Sequence, residues 1–175
     1  VFNMASIGLF YGSNTGNTEN VAYILKEEFD KILPGAVDVH NIGRSTPEDI
    51  LRYNNIIIGI PTWNTGELQD DWDAFMPKFN SMDMNGKKVA LFGLGDQNGY
   101  GFNFQDAVGI VADKVMERGA QVWGLWPTSG YQFEESKARE DEFFLGLAVD
   151  EVGQTEMTRG RIQNWVKAVK AEFGL

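Results

Sequence analysis

The chain has 175 residues, 43% of them hydrophobic and 13% aromatic, with a formal net charge of −10 and no cysteine. That length suits one domain with a substantial core, and the missing thiols exclude disulfides, thiolate metal sites and cysteine nucleophiles. The acidity argues against nucleic-acid binding, which needs basic patches, and no apolar run approaches the roughly 18 residues of a membrane span.

Val1-Phe2-Asn3-Met4 has neither the basic start nor the apolar segment of a signal peptide. A chain opening on Val1 is expected to have been processed or trimmed. The single histidine, His40, falls in a strand-like run and is read as a structural or surface residue. A Ser-His-Asp triad would have to use it, and no nucleophile elbow accompanies it.

In chain order, the first strand is predicted over Ser6–Tyr11, where the apolar run Ile7-Gly8-Leu9-Phe10 stops in small and hydroxyl residues. A helix from about Thr18 to Leu33 follows at once, with Val21, Ile24, Leu25, Phe29 and Ile32 on one face. The join, Gly12-Ser13-Asn14-Thr15-Gly16-Asn17-Thr18, is a strand, a tight loop and a helix N-terminus, which together can hold an anion. Ser13, Thr15 and Thr18 add hydroxyls, while Gly12 and Gly16 are expected to let the backbone come close. The lysine of a triphosphate-binding loop is missing, so one terminal phosphate fits better. Alone, the stretch is equally a Gly/Ser/Thr-rich turn with a good helix cap.

Val37–Ile42 alternates like an edge strand, and Ser45-Thr46-Pro47-Glu48-Asp49 signals a capped helix start. Asn55–Ile60 is a continuous apolar run, as for a strand buried on both faces. A helix is predicted over about Asp70–Phe79 with Trp72, Phe75, Met76 and Phe79 inward, then a strand over Lys88–Phe92. Phe104, Ala107, Val108, Val111 and Val115 mark the next helix, and Val122–Trp126 the fifth strand. Ile162, Trp165, Val166, Val169 and Phe173 mark the last helix. Trp72, Trp123, Trp126 and Trp165 are assigned to the core by their place in periodic segments.

Strands alternating with helices predict an α/β fold: a doubly wound five-stranded parallel sheet of order 2-1-3-4-5, with ligands beyond the strand C-termini. Residues 127 to 155 break the alternation, giving a long aromatic insertion near the fifth strand. It is expected to fold onto the body of a single domain spanning residues 1 to 175, as a short hairpin.

On this topology the loops after strands one, three and four meet at one edge. The second carries Pro61-Thr62-Trp63-Asn64-Thr65-Gly66-Glu67 and the third Gly93-Leu94-Gly95-Asp96-Gln97-Asn98-Gly99-Tyr100. Trp63 and Tyr100 sit where no helix or strand face claims them, so each either packs its loop or walls a planar ligand. Asp96 is either an exposed turn residue or an acceptor for a ring N–H. Two aromatic walls beside a phosphate cradle would suit a planar ring on a phosphorylated tail.

These three loops, with Gly130-Tyr131-Gln132-Phe133 and Phe144–Asp150, resemble the long-chain flavodoxins over essentially the whole chain. The resemblance implies a low-potential one-electron carrier. Its FMN would be bound non-covalently and shuttle between semiquinone and hydroquinone. By that resemblance Ser13, Asn14, Thr15, Gly16, Asn17 and Thr18 would hold the phosphate, with Thr62 beside it. Trp63 and Tyr100 would sandwich the isoalloxazine, and Asp96 would accept from its N3–H. The Asn64–Thr65 peptide, followed by Gly66, would face N5. Gly93, Leu94 and Gly95 belong to the third loop, while Asn103 and Gln105 would make further contacts. Gly101-Phe102 and Val152-Gly153 depart from the family's more polar pattern.

No lysine or arginine occurs in the two ring loops, and Glu67, Asp70, Asp71 and Asp96 are acidic. An anionic reduced ring is therefore expected to be disfavoured, which predicts a low potential for the second electron. The resemblance also implies a monomer serving redox proteins such as photosystem I, a ferredoxin–NADP reductase or a nitrogenase system. It would sit in the cytoplasm if bacterial, or the plastid stroma if algal. The rival from the enzyme class is an FMN-dependent NAD(P)H:quinone reductase, which would need a substrate pocket over the ring. A phosphorylated receiver domain, which shares the strand order, is disfavoured because Ile60-Pro61-Thr62 stands where an aspartate is required.

Overall fold

The structure is a computed structural model that describes residues 4 to 63 and 65 to 175, so the expectations placed on Asn64 lie outside the described residues. The strands β1 (Ile7–Tyr11), β2 (Val37–Asn41) and β3 (Asn55–Trp63) pair in parallel, as do β3 and the strand Lys88–Leu94. Leu9 faces Ile57, and Ile57 faces Ala90. A short β4 (Glu67–Leu68) folds back antiparallel on the end of β3, so the strand Lys88–Leu94 is β5.

Helices α1 (Asn17–Ile32), α2 (Pro47–Leu51), α3 (Asp70–Phe75) and α4 (Asp106–Glu117) make the crossovers. Helix α2 starts on a capping box: Thr46 N–H donates to Asp49 Oδ2 at 2.8 Å, and Asp49 N–H donates to Thr46 Oγ1. The Thr46 N–H, donating to the carboxylate, holds the Asp49 carboxyl below the usual carboxylate range.

The predicted order 2-1-3-4-5 is present, but the fifth position is shared by two segments. Strand β6 (Gln121–Trp123) pairs with Lys88–Ala90, and β10 (Leu147–Val149) pairs with Phe92–Leu94. The expectation of one strand over Val122–Trp126, with an insertion after it, is corrected: the insertion interrupts the strand itself. Gly124 sends the chain out at φ 73°, and a Cβ there would press on Trp165 at 3.0 Å. Gly146 brings it back, where a Cβ would stand 2.4 Å from the Leu91 carbonyl oxygen. Inside the detour β7 (Trp126–Pro127), β8 (Arg139–Glu140) and β9 (Phe143–Phe144) form a separate antiparallel sheet. The expected hairpin is β8–β9.

One boundary and two burial assignments also differ. The helix predicted over Asp70–Phe79 ends as an α-helix at Phe75 and continues as 3-10 turns over Met76–Ser81. Pro77 has no N–H to donate, and its ring crowds the preceding turn. Trp123 is 36% exposed on the terminal strand rather than in the core, and Trp126 is half-buried; Trp72 and Trp165 are buried as expected. Helix α5 (Thr158–Glu172) closes the chain.

The sheet carries a core on each face. Ile56, Ile58, Ile60, Trp72, Leu91 and Val111 lie on one side; Leu9, Leu25, Ile57, Phe92, Trp165 and Val169 lie on the other. Each such Leu, Ile, Val or Phe side chain contributes about 1.5–3 kcal/mol when fully buried. The continuous apolar run of β3 thus serves both layers. Tyr131, Phe133 and Phe144 of the insertion pack around Phe104 at centroid separations of 5.7 to 5.8 Å. The Tyr131 hydroxyl donates to the Ala148 carbonyl and accepts from Trp126 Nε1.

His40 is structural. Its ring stacks on Phe10 at 4.8 Å, and Nε2 lies 2.9 Å from the Tyr53 hydroxyl. That hydroxyl donates to Asp38 Oδ2, so Nε2 must be the donor in the His40 bond. Among the described residues no helix is long and apolar enough to cross a membrane. None of them forms a cluster of three or more His, Cys, Asp or Glu that could hold a metal ion.

Candidate functional site

Beyond the C-terminal ends of β1, β3, β5 and β10 lies a cleft of about 220 Å³. The first loop supplies Ser13, Asn14, Thr15, Asn17 and Thr18 to its wall. Gly16, at φ 87°, is the N-cap of α1, and no side chain caps the helix. Its first-turn N–H groups therefore lack the partners an interior turn would supply. Ser13 Oγ accepts from the Gly16 N–H at 3.0 Å and closes the loop on itself.

Glycine is required at the two positions for different reasons within the chain. At Gly12 a Cβ would stand 2.2 Å from Gln69 Oε1 and 2.7 Å from Trp72 Cδ1, so its smallness serves packing. At Gly16 no atom is within 4 Å, and the left-handed backbone is what demands glycine. Just before the loop, burial and a hydrogen bond to Glu19 push the Tyr11 hydroxyl up to about 12.

Asn14 lines the cleft but is held from behind: its Oδ1 accepts from Gln69 Nε2 at 2.7 Å. Gln69 is fully buried, and its Oε1 accepts from the Trp72 N–H at the start of α3. The loop after β1 is thereby tied to the segment after β3.

From that segment Pro61, Thr62 and Trp63 line the cleft. Thr62 Oγ1 accepts from the Ala107 N–H at 3.0 Å, leaving its own O–H free to donate. A turn with Gly66 N–H donating to the Trp63 carbonyl reverses the chain, and Gly66 adopts φ 94°. Thr65 is exposed, Gly66 is buried against Asp106, and neither lines the cleft.

The third loop contributes Leu94, Gly95, Asp96 and Tyr100. Asp96 is a turn residue: Oδ1 accepts from the N–H groups of Asn98 at 3.1 Å and Gly99 at 2.9 Å. Its other oxygen takes neither bond. Tyr100 is 48% exposed and Trp63 half-buried, so both aromatics stand at the cleft rather than inside the core.

Three expected contacts stand away from the cleft. Gly93 lies within β5, where a Cβ would meet Gln105 Oε1 at 2.1 Å, so it sets the spacing of sheet and α4. Asn103 donates to Asp106 Oδ2 and borders a different hollow with Phe102 and Glu134. Gln105 is buried at φ 63° behind β5, its Nε2 directed at the Val149 carbonyl.

The fourth wall is Glu151 and Val152; sequence reasoning named Val152 only as a departure from the family pattern and did not name Glu151. The pair follows β10, and only the interrupted strand reveals that this segment ends beside β5. None of the described residues lining the cleft is Lys or Arg, while Asp96 and Glu151 are acidic. Asp70, Asp71 and Asp73 crowd the first turn of α3 nearby. A doubly wound α/β domain with its cleft at the switch between β1 and β3 belongs to the class that binds ligands beyond the strand ends.

Comparison with known proteins narrows that class. The sequence model of the flavodoxin family matches residues 9 to 165. A flavodoxin of a Nostoc species is 48% identical over 169 residues, which span 97% of this chain and 98% of the relative. Flavodoxin 1 of Salmonella typhimurium is 49% identical over 173 residues, spanning 98% and 97%. The crystal structure of Fusobacterium nucleatum flavodoxin bound to flavin mononucleotide aligns with a TM-score of 0.89 at 32% identity, covering 95% of this chain and 98% of that one. The chain belongs to the flavodoxin family.

Proposed function

We propose that the cleft binds FMN non-covalently and that the protein carries single electrons at low potential between larger redox proteins. The observation that carries this reading is a hydroxyl-lined, cation-free loop at the N-terminus of α1 opening into a cleft flanked by Trp63 and Tyr100. The residues fit the cofactor by the chemistry of the donors: hydroxyls and unpaired N–H groups for one phosphate, and aromatic faces for one planar ring.

Bound FMN would supply a ring that accepts and releases electrons one at a time. Ser13, Thr15 and Thr18 would donate to the phosphate together with the first-turn N–H groups of α1. The free Thr62 O–H would add a donor at the edge of that cradle. Trp63 and Tyr100 would hold the ring and limit its contact with water, and Asp96 Oδ2 would accept from a ring N–H. Asp96 and Glu151 place negative charge beside the ring without a compensating cation, which disfavours further negative charge there. Two covered faces leave an edge for electron transfer and little room for a hydride donor, which favours a carrier over a reductase.

The net charge of −10 suits basic partner surfaces and association that weakens with salt. The partner classes proposed are photosystem I, a ferredoxin–NADP reductase or a nitrogenase system. The protein would act as a monomer in the bacterial cytoplasm or a plastid stroma. Titrating apoprotein into FMN and following flavin fluorescence tests the binding step. Quenching to a one-to-one end point is expected; fluorescence that stays free at excess protein would sink the proposal.

A further inference from the structure

Carboxylates are seldom fully buried unless both oxygens are met. Asp150, at the end of β10, is fully buried. Its Oδ2 accepts from the Gln97 backbone N–H at 3.3 Å and from Gln97 Nε2 at 2.7 Å. Its Oδ1 accepts from the N–H groups of Val152 at 3.1 Å and Gly153 at 2.8 Å. Gln97 is buried too, and its Oε1 accepts from the Gln132 N–H of the insertion at 2.6 Å. Gln97 follows Asp96 directly, and Val152 lines the cleft. The four donors to one carboxylate therefore come from the two segments that close the cleft opposite the first loop.

We propose that Asp150 is the positioning residue of the ring side of the cleft: it fixes the Asp96–Tyr100 loop and the Glu151–Val152 wall against each other. Through Gln97 it also ties both to the insertion. Aspartate is the one side chain of this length that accepts at both ends. Asparagine accepts at one end and donates at the other. Gln97 cannot turn over to compensate, because the Gln132 N–H already holds its oxygen. An asparagine at 150 would face its amide nitrogen toward either the Gln97 donors or the Val152 and Gly153 N–H groups. One tie is lost in either rotamer.

This inference rests on the flavin reading of the cleft. The test compares D150N with the wild-type apoprotein, under conditions where denaturant titration shows both to be folded. Each is titrated with FMN and with riboflavin, which lacks the phosphate, and amide exchange is followed by residue. D150N is expected to bind both flavins about tenfold more weakly and by a common factor, since buried donors lose an acceptor while the first loop is untouched. Exchange is expected to quicken at residues 97 to 100 and 151 to 153 but not in the first turn of α1. A purely structural role would leave affinity unchanged in the folded variant.

Unchanged affinities, or a loss confined to FMN, would overturn the proposal. If D150N does not fold, Q97L decides: it removes the Gln97 side-chain ties and must weaken FMN and riboflavin by one common factor, and unchanged affinity there would equally overturn the proposal. A wild-type protein that binds neither flavin would instead overturn the cofactor reading itself.

Discussion

The two halves of the cleft are built by different means. The half proposed for the phosphate is one continuous stretch after β1, shaped by the positive φ of Gly16 and the Ser13–Gly16 hydrogen bond. The half proposed for the ring is gathered from residues 61 to 63, 94 to 100 and 151 to 152, and is braced through Asp150, Gln97 and Gln132. A local half takes its geometry from neighbouring backbone and a helix end. An assembled half takes it from contacts tens of residues apart, so remote substitutions reach it.

The largest expected effect separates the halves by charge. T15D sets a carboxylate in the first loop, and FMN binding should weaken by about fivefold to several-hundredfold, because two like charges a few ångströms apart repel by ~1–4 kcal/mol between water and a partly buried site. Riboflavin binding should change only a few-fold. Equal losses for both flavins in fluorescence titrations would break the assignment of that half.

W63A addresses the other half. Stacking of an aromatic on a planar base is worth ~1–3 kcal/mol, so both flavins should bind about tenfold to a hundredfold more weakly and by similar factors. A loss for FMN alone would mean that Trp63 serves the phosphate end.

The smallest effect compares a tyrosine from each region. Tyr11 precedes the first loop and Tyr131 belongs to the insertion, and burial pushes both hydroxyls from 10.0 up to about 12. A folded value above the unfolded one gives stability that is whole below pH 10 and lost as pH rises toward 12. The urea midpoint should therefore fall across that window, and Y131F should make its pH slope shallower. A slope identical in Y131F would show that Tyr131 contributes nothing to it.

The same division governs what could be read from the residues alone. The first loop is legible because an apolar strand, small and hydroxyl residues and a helical face adjoin in sequence. Trp63, Asp96 and Tyr100 are legible as loop residues that no periodic face claims. The fourth wall is not, because Val122–Trp126 reads as one apolar strand and nothing local marks Gly124 as the point of departure. That glycine is required by a positive φ and by Trp165, which lies 41 residues away in sequence and donates to its carbonyl. Gln105 and Asn103 sit in the right loop yet face away, since which side of a loop a residue takes depends on packing against α4 and the insertion. Pro77 is a readable stop inside the predicted Asp70–Phe79 helix, masked by Phe75 and Phe79 at helical spacing.

The central claim is that this cleft holds FMN and makes it a low-potential carrier of single electrons. An anaerobic reductive titration of the FMN-loaded protein, followed by absorption with redox-indicator dyes, tests it most directly. The predicted result is reduction in two separate one-electron stages, the second at a clearly lower potential than that of free FMN. Reduction in a single two-electron stage at the potential of the free cofactor would contradict it.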